Sequence, residues 1–332
     1  MRKFPEVNQG FEDLFKMLLA PIRSKLLLTG IELKVFNQLS EPRSTEAVAQ
    51  AICTHPRNTE VFLDGLTAID LLQKKNGLYK NSPTTQTFLV EDSPTYVGSL
   101  LQLQYSQTSL ENLSQLIREG PQPTPAMTFS EEVFAQEYAS SERTGDAPIM
   151  VDVVSKLPEF PLFRKMLDLG GGPGLIGMAV VAAHPSMKGV IFDLPPMVKV
   201  AETFIKEYGM EDRMTVLGGD GFRDSIGEGY DLVVACSSLQ AFKDKLDSVV
   251  MKVYDALNPS GVFISYFSGL THERTKPEIC VLTLLSMALA GWDTGFDQGY
   301  VADSMLRVGF KSVRSRTLNA SWGPMELDIA RK

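Results

Sequence analysis

The chain has 332 residues, a hydrophobic content of 44% and a formal net charge of −8, a composition that suits a globular protein with a sizeable core. The acidic balance argues against a nucleic-acid binder, which needs a basic face. No signal-peptide pattern is visible, and the apolar stretch near 281–290 is too short to span a bilayer. Three cysteines without paired spacing and three scattered histidines indicate neither disulfides nor a zinc site. We therefore expect a cytoplasmic protein with no membrane partner.

The first hundred residues predict a small, mainly helical domain that ends in a hairpin. Apolar residues recur with helical periodicity through 11–40, Ser44 stands at a helix N-cap position, and a further helix covers Asn58–Ile69. Asn76-Gly77 then lies between two apolar pairs, as in a tight hairpin. Helices followed by such a hairpin form the winged-helix pattern. The helix at 57–70 has a single basic residue, which favours dimerisation over DNA binding for this domain.

A connector and an α/β domain follow. Residues 119–129 are rich in proline, and helical segments are expected at 130–140 and 146–157. From Phe160 onward, strands alternate with helices, which predicts a largely parallel sheet. The strands are expected at 165–169, 189–192, 214–217, 230–235, 261–266, 311–317 and 325–330, the last two as an antiparallel hairpin. Three parts are therefore predicted. They are a winged-helix-like dimerisation domain at 1–105, a helical connector at 106–159 that contributes to the substrate pocket, and the α/β domain at 160–332.

A glycine turn after the first strand of this domain indicates the cofactor. Residues 166–174 read Met-Leu-Asp-Leu-Gly-Gly-Gly-Pro-Gly, and glycines at such a turn let the backbone approach a nucleotide. The spacing of Gly170, Gly172 and Gly174 is tighter than in dinucleotide folds, and Asp168 precedes it. A carboxylate there repels a pyrophosphate and attracts an ammonium group. The pattern therefore predicts S-adenosylmethionine rather than NAD.

Acidic residues also follow the next two strands. Asp193 ends the second strand, where its carboxylate can accept hydrogen bonds from both ribose hydroxyls. Asp220 follows the third strand, within reach of an adenine amino group, and Phe222 can pack on the ring. One acid at a strand end is often only a helix N-cap. Three of them after successive strands favour a nucleoside site.

Together these motifs resemble the class I S-adenosylmethionine-dependent methyltransferases, and more narrowly the small-molecule O-methyltransferases related to caffeate, hydroxyindole and polyketide O-methyltransferases. The family's glycine motif is similar to residues 167–174, its ribose-binding motif to 192–195 and its adenine-binding motif to 219–222. The start of its winged-helix dimerisation domain is similar to residues 30–36. The resemblance implies a Rossmann-like, seven-stranded α/β sheet with an antiparallel terminal hairpin, a winged-helix dimerisation domain, a homodimer and S-adenosylhomocysteine as product. The implied cofactor-binding residues are Asp168, Gly170, Gly172, Gly174, Asp193, Leu194, Asp220, Gly221, Phe222 and Cys236.

One departure from the family concerns the general base. The run at 239–242 is Leu-Gln-Ala-Phe, where the family usually has Leu-His-Asp-Trp with histidine as the base. Gln240 cannot take a proton at neutral pH, so its expected role is to orient the substrate. The acids that orient the family's histidine have no clear match, and Asp293 and Asp297 are loose candidates. His272 is a candidate replacement base, or else a solvated loop histidine.

Methyl transfer can continue without that base. A general base contributes about 3–5 kcal/mol, whereas positioning contributes about 7–11 kcal/mol. A thiol, carboxylate, amine, enolate-like carbon or metal-activated hydroxyl therefore fits as acceptor better than an unactivated alcohol or phenol. Met150, Phe163, Met287 and Trp292 are expected to line an apolar substrate pocket, with core packing as the alternative. In the competing hypotheses, the protein binds S-adenosylmethionine but uses it in a reaction other than methyl transfer, or serves as a regulatory or binding protein.

Overall fold

The computed structural model describes residues 10–108, 110–121 and 131–332. The chain divides into two compact units at the bond between Gln102 and Leu103. Within the described ranges, no helix combines the length and the apolar character needed to cross a bilayer.

The N-terminal unit has the winged-helix arrangement that the sequence predicts. Its elements, with the helix that leads into the next unit, are α1 (Glu12–Glu32), α2 (Thr45–Ala51), α3 (Pro56–Ala68), β1 (Leu72–Lys75), β2 (Leu78–Asn81), α4 (Pro83–Phe88) and α5 (Gly98–Gln107). The Ser44 hydroxyl accepts the Ala47 N–H at 3.3 Å and so caps α2. Asn76 and Gly77 both have positive φ, 52° and 79°, as the tight turn between β1 and β2 requires.

Helix α1 leaves a broad apolar surface uncovered in the single chain. Its side chains between 39% and 76% exposed, together with the residue just before it, are Phe11, Leu14, Phe15, Met17, Leu18, Leu19 and Ile22. A contiguous apolar surface of this kind marks an interaction site.

The C-terminal unit is built on a seven-stranded sheet, and the predicted fold class is confirmed. Its strands are β3 (Lys165–Leu169), β4 (Lys188–Asp193), β5 (Met214–Gly218), β6 (Tyr230–Cys236), β7 (Leu257–Phe267), β10 (Ser312–Ala320) and β11 (Gly323–Arg331). The order across the sheet is β10-β11-β7-β6-β3-β4-β5. Strands β3 to β7 pair in parallel, while β11 is antiparallel to both β7 and β10. Two short strands, β8 (Gly269–Leu270) and β9 (Phe296–Asp297), form a separate pair.

The α-helices after α5 accompany this sheet, and members of the set pack on both of its faces. They are α6 (Leu113–Glu119), α7 (Glu131–Ser141), α8 (Ala147–Ser155), α9 (Leu175–Ala182), α10 (Pro195–Glu207), α11 (Leu246–Ala256), α12 (Glu278–Leu289) and α13 (Tyr300–Val308). Alternate side chains of each strand enter two different apolar clusters, one that includes residues of α8 and α9 and one that includes residues of α11 and α13. The strand order reverses between β3 and β6, and the crevice at the carboxyl ends of these strands is where open α/β sheets bind ligands.

One segment of the connector differs from the sequence prediction. The segment between α7 and α8, expected to separate two helices, forms a π-helical turn over Glu142–Asp146 that continues both. Gly145 permits this turn to pack closely, since a Cβ there would lie 2.4 Å from Ser321 Oγ. Turns of this kind are frequent at functional sites, and from this one Glu142 reaches the N-terminus of α9, just after the glycine turn.

Candidate cofactor and methyl-transfer site

The glycine turn after β3 requires glycine for steric reasons. Gly170, Gly172 and Gly174 have φ of 66°, 53° and 83°, values that side chains disfavour. A Cβ on Gly170 would lie 2.4 Å from Ser238 Cβ, and one on Gly174 would lie 2.3 Å from Ile191 Cδ1. The turn therefore brings bare backbone to the carboxyl end of the sheet.

The N-terminus of α9 is occupied by the protein's own carboxylates. Glu142 Oε2 accepts the N–H groups of Leu175 and Ile176 at 2.9 and 3.4 Å, and Asp168 Oδ2 accepts the next N–H, that of Gly177, at 2.9 Å. A helix N-terminus favours anions and is the usual phosphate site of dinucleotide folds. Here its N–H groups are already bonded, so the site does not suit a pyrophosphate.

Glu142, Asp146 and Asp168 form a buried acidic cluster. Burial, reinforced by Asp168 and Asp146, raises the pKa of Glu142 well above its usual range. Burial also raises the pKa of Asp146 to about 6 and that of Asp168 to about 7, despite the hydrogen bonds that each accepts. Within the described part of the chain, no lysine or arginine forms an ion pair with these three carboxyls. Buried acids without a cation fit a positively charged ligand.

Cys236 lies at the end of β6 within the same electrostatic field. Burial first, and then the charges of Asp168, Asp146 and Glu142, raise the pKa of its thiol well above the usual range. A neutral thiol is a poor nucleophile, so the surroundings of Cys236 favour a wall of the site over a reactive group.

Asp193 stands beside the glycine turn. Its Oδ2 accepts the Gly172 N–H at 2.8 Å, and its Oδ1 accepts the Leu194 N–H at 2.7 Å. A carboxylate has about four lone-pair sites, so it can accept ribose hydroxyls in addition to these backbone groups. Leu194 is 46% exposed and borders the same crevice.

A compact loop presents the expected adenine-binding residues. Asp220 Oδ1 accepts the Phe222 N–H at 2.8 Å, and the Phe222 ring meets Phe242 edge-on with centroids 4.7 Å apart. Lys252 on α11 donates to the carbonyls of Gly221, at 3.0 Å, and of Phe222 and Asp224. Sequence reasoning missed this lysine, which fixes the loop from outside the motif.

Gln240 lies in the turn that follows β6. It lies in a 3₁₀-helix over Leu239–Lys245. Its Oε1 is buried and has no hydrogen-bond partner among the described residues. A buried acceptor left unsatisfied costs about 1–3 kcal/mol, and a ligand N–H or O–H would remove that cost.

The acids considered as partners of a base form ion pairs instead. Asp293 accepts from Lys243 Nζ at 2.8 Å and from Arg274 at 2.7 Å, and Asp297 accepts from Arg274 at 2.9 Å. Burial raises the pKa of Asp293, but the hydrogen bonds from Lys243 and Gly295 N–H and the positive charges of Lys243 and Arg274 together lower it. The two acids thus form ion pairs with Lys243, three residues after Gln240, and with Arg274.

The remaining candidate residues differ in their exposure. His272 is exposed with φ of 50°, and its Nδ1 lies 3.0 Å from Thr271 Oγ1. Met150 and Phe163 are 0% and 2% exposed in the core cluster of α8 and α9, whereas Met287 and Trp292 are 40% and 68% exposed. Apolar periodicity cannot separate core from pocket, because both need the same side chains on one helix face.

The fold and this cation-receptive site define a class I S-adenosylmethionine-dependent methyltransferase. Residues 126–295 match the O-methyltransferase domain, and residues 15–91 match the O-methyltransferase dimerisation domain. The chain belongs to the O-methyltransferase family.

Curated relatives and solved structures agree with that assignment. The chain is 28% identical over 296 residues to the N,N-dimethyltransferase OxyT of Streptomyces rimosus, covering 85% of each. It is 26% identical to the tetracenomycin polyketide synthesis 8-O-methyl transferase TcmO of Streptomyces glaucescens, over 98% of this chain and 97% of that one. Its fold is similar to human N-acetylserotonin methyltransferase in complex with S-adenosylmethionine, with a TM-score of 0.80, 23% identity and 99% of each chain covered. The predicted cofactor and enzyme class are thereby confirmed.

Proposed function

We propose that this enzyme methylates a neutral amine nitrogen of a small, aromatic or apolar acceptor, and that Gln240 orients the acceptor. The observation that carries the proposal is the buried, unpartnered Oε1 of Gln240, at the position where the family resemblance implies a histidine base. An amide oxygen accepts a hydrogen bond but takes no proton at neutral pH. It therefore suits an acceptor that keeps its N–H until after the transfer. The name of OxyT shows that a similar chain acts on nitrogen.

The chemistry balances without a protein base. When bound, S-adenosylmethionine supplies a methyl carbon already activated by its sulfonium. The acceptor nitrogen forms the new C–N bond with its lone pair as the C–S bond breaks, and its extra proton leaves to water afterwards. The enzyme contributes orientation and the exclusion of water, worth about 7–11 kcal/mol. Without a general base, the enzyme loses only the smaller contribution to lowering the activation free energy, about 3–5 kcal/mol.

We assign the cofactor contacts by chemistry. Asp193 accepts the ribose hydroxyls, while Asp220 and Phe222 hold the adenine in the loop that Lys252 braces. The acidic cluster that includes Glu142 and Asp168 receives the positively charged methionine portion of the cofactor. Met287 and Trp292 are the exposed apolar residues proposed to line the acceptor pocket, and the free state of all three cysteines fits a cytoplasmic location.

Replacing Gln240 by alanine tests its role. We expect kcat/KM for methyl transfer to fall by about tenfold, because one neutral hydrogen bond is worth about 0.5–1.5 kcal/mol. The dissociation constant of S-adenosylmethionine should stay within about threefold of wild type, and Gln298→Ala, at an exposed glutamine after β9, is the matched control. A loss of several thousandfold in kcat would mean that Gln240 takes part in the chemistry itself, against this proposal.

We also propose that the enzyme is a homodimer through its N-terminal unit. The match to a dimerisation domain and the exposed apolar surface of α1 support this. Light scattering coupled to size exclusion should give twice the 36.6 kDa of one chain, and Leu18→Glu on that surface should give a monomer. A wild-type protein that is monomeric at micromolar concentration would refute the dimer.

A further inference from the structure

We propose that Glu142 and Asp146, together with Asp168, recognise the positive charge of the cofactor sulfonium, so that the enzyme prefers S-adenosylmethionine to its thioether product. The inference concerns the cofactor alone. It does not depend on which acceptor atom is methylated.

The geometry brings three carboxyls from two distant segments to one place. Glu142 and Asp168 bind three successive N–H groups at the start of α9, those of residues 175, 176 and 177. Asp146 lies one helical turn after Glu142 and accepts the Tyr266 hydroxyl of β7 at 3.3 Å. These bonds fix the positions of the carboxyls before any ligand arrives, so the groups are preorganised and ionise when a cation binds.

The field of these carboxyls reaches the end of β6. Cys236 is paired across the sheet with Tyr266, whose hydroxyl donates to Asp146, and Asp168 on β3 is paired with Val234, two residues before Cys236. The family resemblance includes Cys236 among the cofactor-binding residues, so we place the sulfonium at this end of β6. A sulfonium held there lies in the field of all three acids. Charges within several ångströms of one another interact strongly where water is excluded.

Charge distinguishes the cofactor from its product. Both carry an ammonium and a carboxylate, and only S-adenosylmethionine carries the sulfonium. The ammonium interaction is therefore common to both ligands and cancels in the ratio of their dissociation constants. Removing one nearby negative charge should change that ratio by about tenfold, as a shift of about one pKa unit would.

Proton binding gives a second signature. The titratable groups facing the pocket are Glu142, Asp146, Asp168, Asp193, Cys236 and Tyr266. With pKa values of about 6 for Asp146 and about 7 for Asp168, the pocket holds protons below neutral pH. A bound cation favours the ionised carboxyls, so it expels protons. The affinity for S-adenosylmethionine should therefore rise from pH 6 to pH 8, more than that for the product.

The experiment is calorimetry with S-adenosylmethionine and S-adenosylhomocysteine on the wild type, Glu142→Gln and Asp146→Asn. Each amide keeps an oxygen for the bonds from Leu175 N–H and from Tyr266, so each variant retains the local structure. Asp152→Asn is the matched control, because Asp152 lies on the adjoining helix α8 and pairs with Lys156 at the surface. Measurements in buffers of different ionisation enthalpy at pH 6.5 count the protons released.

We expect the ratio of the dissociation constants, S-adenosylmethionine over S-adenosylhomocysteine, to rise about tenfold in Asp146→Asn and Glu142→Gln and to stay unchanged in Asp152→Asn. Wild-type binding of S-adenosylmethionine should release protons at pH 6.5 and tighten about tenfold from pH 6 to pH 8. Equal weakening of both ligands would overturn the proposal, as would a pH-independent affinity. Should Glu142→Gln unfold, Asp146→Asn and the wild-type proton count decide the question.

Discussion

An Asp193→Ala variant is expected to bind S-adenosylmethionine about 100-fold more weakly than the wild type. Two losses combine in this substitution. The ribose hydroxyls lose a charged acceptor, and hydrogen bonds to charged groups are worth about 1.5–3 kcal/mol each. The Gly172 N–H, held at 2.8 Å by Asp193 Oδ2, also loses its partner, so the glycine turn is less well ordered. Calorimetry measures the dissociation constant directly.

A surface acid provides the control for this prediction. Asp212 lies exposed in the turn after α10, and Asp212→Ala should leave the affinity within about twofold. The dissociation constant of Asp193→Asn should lie between those of the wild type and Asp193→Ala, because asparagine keeps an acceptor oxygen and loses the charge. If Asp193→Ala bound the cofactor within about threefold of wild type, Asp193 would be a backbone cap only.

The sheet and the cofactor crevice could be predicted because each signal is local. Apolar runs of five or six residues, each followed by glycine or an acid, define strands whose carboxyl ends meet at one edge. The strands found at Lys165–Leu169 and Lys188–Asp193 begin and end within one residue of their predicted bounds. The terminal hairpin is longer than expected, since β10 and β11 extend through the predicted turn to Ala320 and Gly323.

Glu142, Asp146 and Lys252 could not be predicted in the same way. Glu142 lies more than thirty residues before the N–H groups that it binds, and no periodic pattern distinguishes it from any exposed acid on a helix. Lys252 belongs to an amphipathic helix, and its function depends on a loop thirty residues earlier. Each role arises from tertiary contact, so only the folded chain reveals it.

For the acceptor pocket, the sequence predicts suitable residue types but not their surroundings. Met150 and Phe163 carry the apolar signal expected of a pocket, yet they are buried in the core. Asp293 and Asp297 have the right residue type for orienting a base. In the structure they form ion pairs with Lys243 and Arg274 instead. Residue type alone cannot show which neighbour a side chain meets.

The other large effect expected concerns the acceptor atom. An arylamine should be methylated at least about 100-fold faster than the phenol of the same carbon skeleton at pH 7. The phenol, with a pKa near 10, must lose its proton to become a good nucleophile, and Gln240 cannot take it. A general base raises a reaction rate by about 10²–10⁴-fold. Without a base at position 240, methylation of the phenol should be slower by that factor. The amine attacks through a lone pair that is available at once.

The most direct measurement is the pH dependence of kcat/KM for such matched pairs, aniline with phenol and naphthylamine with naphthol, followed by formation of S-adenosylhomocysteine. Both acceptors share the cofactor-binding step, so the ratio of their kcat/KM values isolates the acceptor. We expect amines to give a profile that is nearly flat from pH 7 to pH 9.5, while any turnover of the phenols rises about tenfold per pH unit. Phenols methylated as fast as amines at pH 7, with a flat profile, would show that the enzyme supplies a base and would contradict the role given to Gln240.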